Sequence, residues 1–135
     1  MLEKAHENKF PYRLHGGNGP VEMQWHFLDK SQLPVAVQTW VLPPGGSEGM
    51  HAHLADQNPL EEMYLVLEGA GSMRVGDDVY EIGPGDSVLA SEGVEHDLRN
   101  TGADPLKVLV IWGKPGEADW SGFGSAKAAR AHRAT

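Results

Sequence analysis

The stretch HAHLADQNPLEEMYLVLEG, residues 51–69, sets two histidines on alternate positions, crosses a polar loop, and places two glutamates at the head of an apolar run. In that run Met63, Leu65 and Leu67 alternate with Tyr64 and Val66, so a strand here has no polar face. The run LKVLVIWG (106–113) has the same character. Strands apolar on both sides call for a two-layer fold in which a second sheet, or a second subunit, covers the outer face.

Outward from residues 51–69, short β-rich runs alternate with Gly, Pro, Asn and Asp punctuation, the pattern of a sandwich or barrel rather than of βαβ units. The expected strands are 21–27, 35–42, 50–53, 62–68, 71–75, 78–82, 86–90, 95–99 and 106–113. Turn chemistry separates them at PPGG after Leu42, GDD at 76–78, GPGD at 83–86 and NTG at 100–102. Within EHDLR (95–99) Glu95, Asp97 and Arg99 share one face, which meets water and turns His96 inward. The chain is thus expected to be all-β, with residues 21–115 as its β domain. Residues 1–20 form an N-terminal arm and residues 116–135 a C-terminal tail. In that tail Lys127, Arg130 and Arg133 stand at the spacing of a short Ala-rich helix.

At 135 residues the chain fits one compact domain. Its 19 acidic side chains outnumber 11 Lys and Arg, a formal charge of −8 that repels phosphate backbones and anionic lipid, so neither nucleic acid nor membrane is an expected partner. Cysteine is absent, which excludes disulfides, thiol nucleophiles and zinc–thiolate sites and leaves imidazole and carboxylate as metal donors. The N-terminus carries charges where a signal peptide has its apolar run, and no stretch reaches membrane-spanning length, so a cytoplasmic location is expected.

On an extended strand His51 and His53 present their rings on one face, where both can reach one ion. A His-x-His pair alone is weak evidence, since it also arises as a packed or surface feature. His96 adds a third inward imidazole, and an unpaired buried ring is costly.

Two spacings in this region resemble a known family. Gly45, five residues, His51, one residue, His53, then a glutamate, six residues and Gly69 match the first motif of the cupins. Gly85, five residues, Ser91, one residue, Gly93, two residues, His96, three residues and Asn100 match the second, with Ser91 where the family usually has proline. The resemblance covers roughly residues 35–113. It implies a double-stranded β-helix, or jelly-roll barrel, and a homodimer. It also implies one divalent transition metal per subunit held by His51, His53, Glu62 and His96.

Between His53 and Glu62 lie eight residues, LADQNPLE, where the family has three or four. Glu62 is preferred as ligand because six residues separate it from Gly69, while Glu61 projects from the opposite face; Gln57, at the family spacing from His53, is the rival if the 54–61 loop folds inward. That loop reads either as a solvated connection or as a lid over a substrate entrance. Iron, manganese, nickel, zinc and copper all suit three imidazoles and a carboxylate.

Tyr64 and Val66 share the face of Glu62, and Leu98 that of His96, so all three are expected at the pocket. Tyr64 is the candidate, beside Glu62, for a catalytic polar contact, against a structural role in the core. Gln38, Trp40 and Trp112 are expected nearby. His6, His15 and His132 lie in segments too polar to fix a site, and His26 is expected to be solvent-facing or packed. GAGSMRVG lacks the following helix that a pyrophosphate would need.

Three functions remain. The first is a metal-dependent enzyme acting on a small organic molecule, by dioxygenation or by metal-assisted enolisation of the isomerase, lyase or cyclase type. The second is a non-catalytic, metal-containing small-molecule-binding module. In the third the histidines are merely packed. Fold does not choose among them.

Overall fold

The computed structural model describes residues 1–54 and 56–134; Ala55, within the 54–61 loop, and Thr135, the end of the C-terminal tail, lie outside the described residues. The strands are β1 (Lys9–Tyr12), β2 (Val21–Trp25), β3 (Ala36–Leu42), β4 (Glu61–Glu68), β5 (Gly71–Val75), β6 (Asp78–Ile82), β7 (Ser87–Ala90), β8 (His96–Asn100) and β9 (Leu106–Gly113). They form two antiparallel sheets, in the orders β1-β2-β3-β9-β4-β7 and β6-β5-β8. The helix α1 (Gly124–Arg133) follows.

Period-two alternation builds the core. In β3 the residues Ala36, Gln38, Trp40 and Leu42 face inward, as do Glu62, Tyr64 and Val66 in β4 and Leu106, Val108 and Val110 in β9. Trp40, Leu42, Tyr64, Val66, Leu106, Val108 and Val110 meet Met73 and Leu98 of the smaller sheet in one cluster. Burying each large aliphatic member contributes about 1.5–3 kcal/mol. The register pairs Tyr64 with Val110 and Trp40 with Val108, which sets Glu62 opposite Trp112 at one end of the sheet.

The other face of the larger sheet is apolar but open: Met63 and Leu67 are each 41% exposed and Leu89 53%. The second layer therefore covers the inner face, and among the described residues this outer row stays open.

Two local departures from the sequence reading bear on function. Residues 50–53 do not form the expected strand. Instead, residues 45–51 run beside β8 with only single bridges, Ser47 to Arg99 and His51 to His96. Backbone contacts continue there, from Glu48 N to Leu98 O (2.9 Å) and from His96 N to His51 O (2.9 Å). Gly49, at φ +97°, breaks the extended conformation between them. The second departure is β1, inside the expected N-terminal arm, where Lys9–Tyr12 pairs with Val21–Gln24 at the sheet edge. Pro11 is tolerated because an edge strand leaves one row of N–H groups unused.

The helix α1 buries none of its residues and carries Arg130, His132 and Arg133 in its last turn, where they oppose the negative end of its dipole. No helix among the described residues is long and apolar enough to cross a membrane.

Candidate metal centre

Four side chains converge at the β4–β8 end of the molecule. His51 comes from the irregular stretch beside β8 and His53 from the loop after it. Glu62 is the second residue of β4, and His96 opens β8. One donor atom from each lies within 4.8 Å of the others. Glu62 Oε1 stands among the three rings, in contact with His53 Nε2, 3.4 Å from His96 Nε2 and 3.6 Å from His51 Nε2. Glu62 and His96 are buried, and the other two rings are partly covered. The expected four residues are thus the ones brought together. Glu61 is exposed on the opposite face and Gln57 lies exposed in the loop, so neither joins them.

Backbone carbonyls decide which ring nitrogens face the centre with a lone pair. His51 Nδ1 donates to Gly49 O (2.8 Å) and His96 Nδ1 donates to Val94 O (2.9 Å). A carbonyl can only accept, so each Nδ1 carries its proton and each Nε2 of the neutral ring is a bare acceptor. Among the described residues His51 Nε2 is buried with no hydrogen-bond partner. Acceptors converging on a carboxylate oxygen repel one another unless a proton or a cation sits between them. Three imidazoles and a carboxylate are a donor set suited to a divalent transition metal, and outer hydrogen bonds from Nδ1 to carbonyls are the usual means of aiming such ligands.

The same arrangement shifts the titrations. Burial pushes the Glu62 carboxyl up, but the three imidazoles gathered around it outweigh burial and hold the group well below the usual carboxylate range. Burial lowers His53, with Glu62 opposing the shift. Burial also works downward on His96, but its contacts with Glu62 and the Val94 carbonyl raise it overall.

Behind Glu62 lies a second carboxylate that sequence reasoning missed. Glu48 is completely buried, and Tyr64, also completely buried, bridges the two acids. The Tyr64 hydroxyl lies 3.0 Å from Glu62 Oε2 and 3.0 and 3.2 Å from the two oxygens of Glu48, while Leu98 N donates to Glu48 Oε1 (3.2 Å). Burial, reinforced by the Glu62 charge, raises Glu48 well above the carboxylate range, and burial beside both acids raises Tyr64 as well. Tyr64, Val66 and Leu98 therefore sit in the core cluster on the inner side of the centre, not among the residues lining the open cavity.

That cavity, about 510 Å³, opens on the other side of Glu62 and His53. Gln38, Trp40 and Trp112 line it as expected, joined by Trp25, Phe10, Tyr12 and His15. Trp25 and Trp112 meet edge to face with ring centroids 5.3 Å apart. No lysine or arginine is among its lining residues.

His15 is a correction to the sequence reading. The polar segment expected to fix no site brings this ring flat against His51, at a centroid distance of 3.5 Å and an interplanar angle of 12°. Burial and then the neighbouring ligand histidines push it down to about 4, so it is neutral at neutral pH. His26 is partly buried and bonded to Thr39 Oγ1 at 2.6 Å, away from the centre.

Comparison with known proteins agrees with this geometry. The cupin domain family model matches residues 38–112. An uncharacterized protein of Methanocaldococcus jannaschii, MJ1618, is 32% identical over 69 residues, and the match spans about half of each protein, 51% of this chain and 52% of the relative. Among solved structures, a predicted oxalate decarboxylase from Thermotoga maritima is 26% identical with a TM-score of 0.74, over 85% of this chain and all of its own. A Photorhabdus luminescens protein, plu4264, superposes with a TM-score of 0.69 at 15% identity, over 84% of this chain and 88% of its own. At that identity the likeness concerns the fold alone.

Proposed function

The chain belongs to the cupin domain family, and from that premise we propose that it is a metal-dependent enzyme acting on a small organic molecule that presents neighbouring oxygens to the centre. The carrying observation is His51 Nε2, a buried lone pair with no partner, aimed with two other imidazoles at an ionised Glu62. His51, His53, Glu62 and His96 would hold the ion. A divalent transition metal there would polarise a substrate oxygen or, if redox active, support dioxygen chemistry.

The protein's own contribution is arrangement. Tyr64 engages Glu62 Oε2, which leaves Oε1 turned toward the three rings. In an enolisation route Glu62 would serve as the base only when released from the ion, since Oε1 is the oxygen turned toward the three rings. The tryptophans and Phe10 exclude water from the ligand's far end and favour an apolar or aromatic body. With no cationic side chain on the wall, a second free carboxylate has no partner beyond the centre itself.

A small dicarboxylate such as oxalate is the second reading, supported by the 26% identity to the whole Thermotoga protein. The cavity volume and its aromatic lining favour the larger, less charged ligand.

Metal analysis of protein purified without chelator tests the centre: one equivalent of transition metal per chain is expected, and its loss in His51→Ala. Oxygen uptake by anaerobically prepared, iron-loaded protein against diketones and catechols, with product analysis for isomerisation and cleavage, tests the chemistry. Ligand binding without turnover would instead identify a non-catalytic binding module. A stable protein that takes up no metal would refute both.

A further inference from the structure

Residues 13–20 form a strap that is fixed to the metal-centre segment by backbone contact. Ser47 N donates to Asn18 O (3.2 Å), Asn18 N donates to Ser47 Oγ (2.9 Å), and Gly17 N closes a turn onto Leu14 O (2.8 Å). Contact is too close for side chains: a Cβ on Gly17 would lie 2.8 Å from Glu48 O, and one on Gly49 2.5 Å from His15 O. Within the strap His15 holds φ +40°, in the left-handed region that a residue other than glycine adopts at a cost. One face of its ring is covered by the ring of His51, and it lines the cavity beside His53 and Glu62. His15 is not among the four residues whose donor atoms converge. The packing of the strap on residues 47–49 holds this imidazole at the cavity wall, next to the centre but outside the converging set, where its ring nitrogens can meet a ligand.

We propose that His15 is a ligand-contacting residue of this pocket, its ring edge hydrogen-bonding one of the neighbouring oxygens of an aromatic molecule chelated at the His51–His53–Glu62–His96 centre. The assignment rests on the metal-centre reading above and adds to it a residue that selects for bidentate oxygen ligands.

The test uses the full chain loaded with Co(II) and titrated with 4-nitrocatechol, an aromatic probe with vicinal oxygens, followed by the visible spectrum of each. His15→Phe keeps a ring against His51 but removes both nitrogens; His15→Gly suits the left-handed backbone and covers the case in which the phenylalanine variant does not fold. Both are expected to bind one Co(II) per chain with the wild-type Co(II) spectrum while the Kd for 4-nitrocatechol rises about tenfold, the loss of one buried hydrogen bond. A Kd within twofold of wild type in a variant that still holds Co(II) overturns the role of His15 and leaves the metal centre standing. Wild-type protein that takes up no Co(II) overturns both.

Discussion

Removing the Tyr64 hydroxyl isolates the bridge between the two acids. Tyr64→Phe keeps the ring that packs edge to face with Trp40 at 5.9 Å and deletes one oxygen. Among the described residues, that oxygen is the hydrogen-bond partner of Glu48 Oε2 and of Glu62 Oε2, whereas Glu48 Oε1 keeps Leu98 N and Glu62 Oε1 keeps His53. Two buried carboxyl oxygens would lose their partner, each at about 1–3 kcal/mol, so the variant should lose roughly 2–6 kcal/mol. That is a large share of the roughly 5–15 kcal/mol that holds a domain folded. The assay is urea unfolding of EDTA-treated protein, which keeps metal out of the comparison; at a slope of about 2 kcal/mol/M the midpoint should fall by roughly 1–3 M. The partner experiment adds Glu48→Leu. With acid and hydroxyl both gone there is less left unpaired, so the double variant should be more stable than the sum of the single losses by at least about 1 kcal/mol. A loss below about 1 kcal/mol in Tyr64→Phe, or strict additivity in the double variant, would refute the bridge.

Glu48→Gln should change the pH profile with a definite sign. Burial and then Glu62 raise the folded-state value of Glu48 above its ordinary 4.5, so the folded chain retains a proton that the unfolded chain releases. The stability tied to this proton is fully present below pH 4.5 and is lost as pH rises toward the raised value. The stability of Glu48→Gln relative to wild type should therefore improve between about pH 5 and 8; parallel urea profiles would show that Glu48 ionises normally. Zinc or nickel at about a hundred times its Kd should stabilise the wild-type protein by about 2.7 kcal/mol, a rise in Tm of about 10 °C, and His51→Ala should abolish most of it. An undiminished rise in that variant would place the ion elsewhere. The open apolar row on β4 and β7 predicts a dimer in light scattering at micromolar concentration and a folded monomer for Met63→Glu. A wild-type monomer would remove that row's assignment as an interface.

How far the sequence could be read depended on whether the deciding contact was local. The inward faces of β3, β4 and β9 follow from alternation over five or more residues, and parity alone placed Glu62, Tyr64 and Val66 on one side and Glu61 on the other. Parity does not give depth. Tyr64 shares the face of Glu62, yet lies beneath it with its hydroxyl spent between two acids rather than at the cavity wall. Glu48 lies outside any alternating run, and its burial depends on Leu98 and Tyr64, fifty and sixteen residues away. His15 carries no local signal at all, because its place is set by backbone packing of residues 17–18 on 47–49. The strand expected at 50–53 failed for the converse reason: the two-residue spacing that lets His51 and His53 converge needs only local extension, and the ladder there is a single bridge.

Gly49 links the features that were legible with those that were not. Its carbonyl accepts from His51 Nδ1 at 2.8 Å and so fixes which nitrogen faces the centre. Its N–H donates to Asp97 Oδ1 at 3.1 Å, which ties that carbonyl to the strand bearing His96. Its missing side chain leaves the space that the carbonyl of His15 occupies. Any side chain at residue 49 would meet both an unfavourable φ of +97° and that carbonyl, so the strap could not close without tilting the peptide that orients His51. The aim of the His51 ring and the position of the residue stacked upon it are therefore set by the same residue. A change to the backbone of the N-terminal strap, as distinct from a change of the His15 side chain, should accordingly be felt at the centre itself, even though no atom of the strap is among the converging donors.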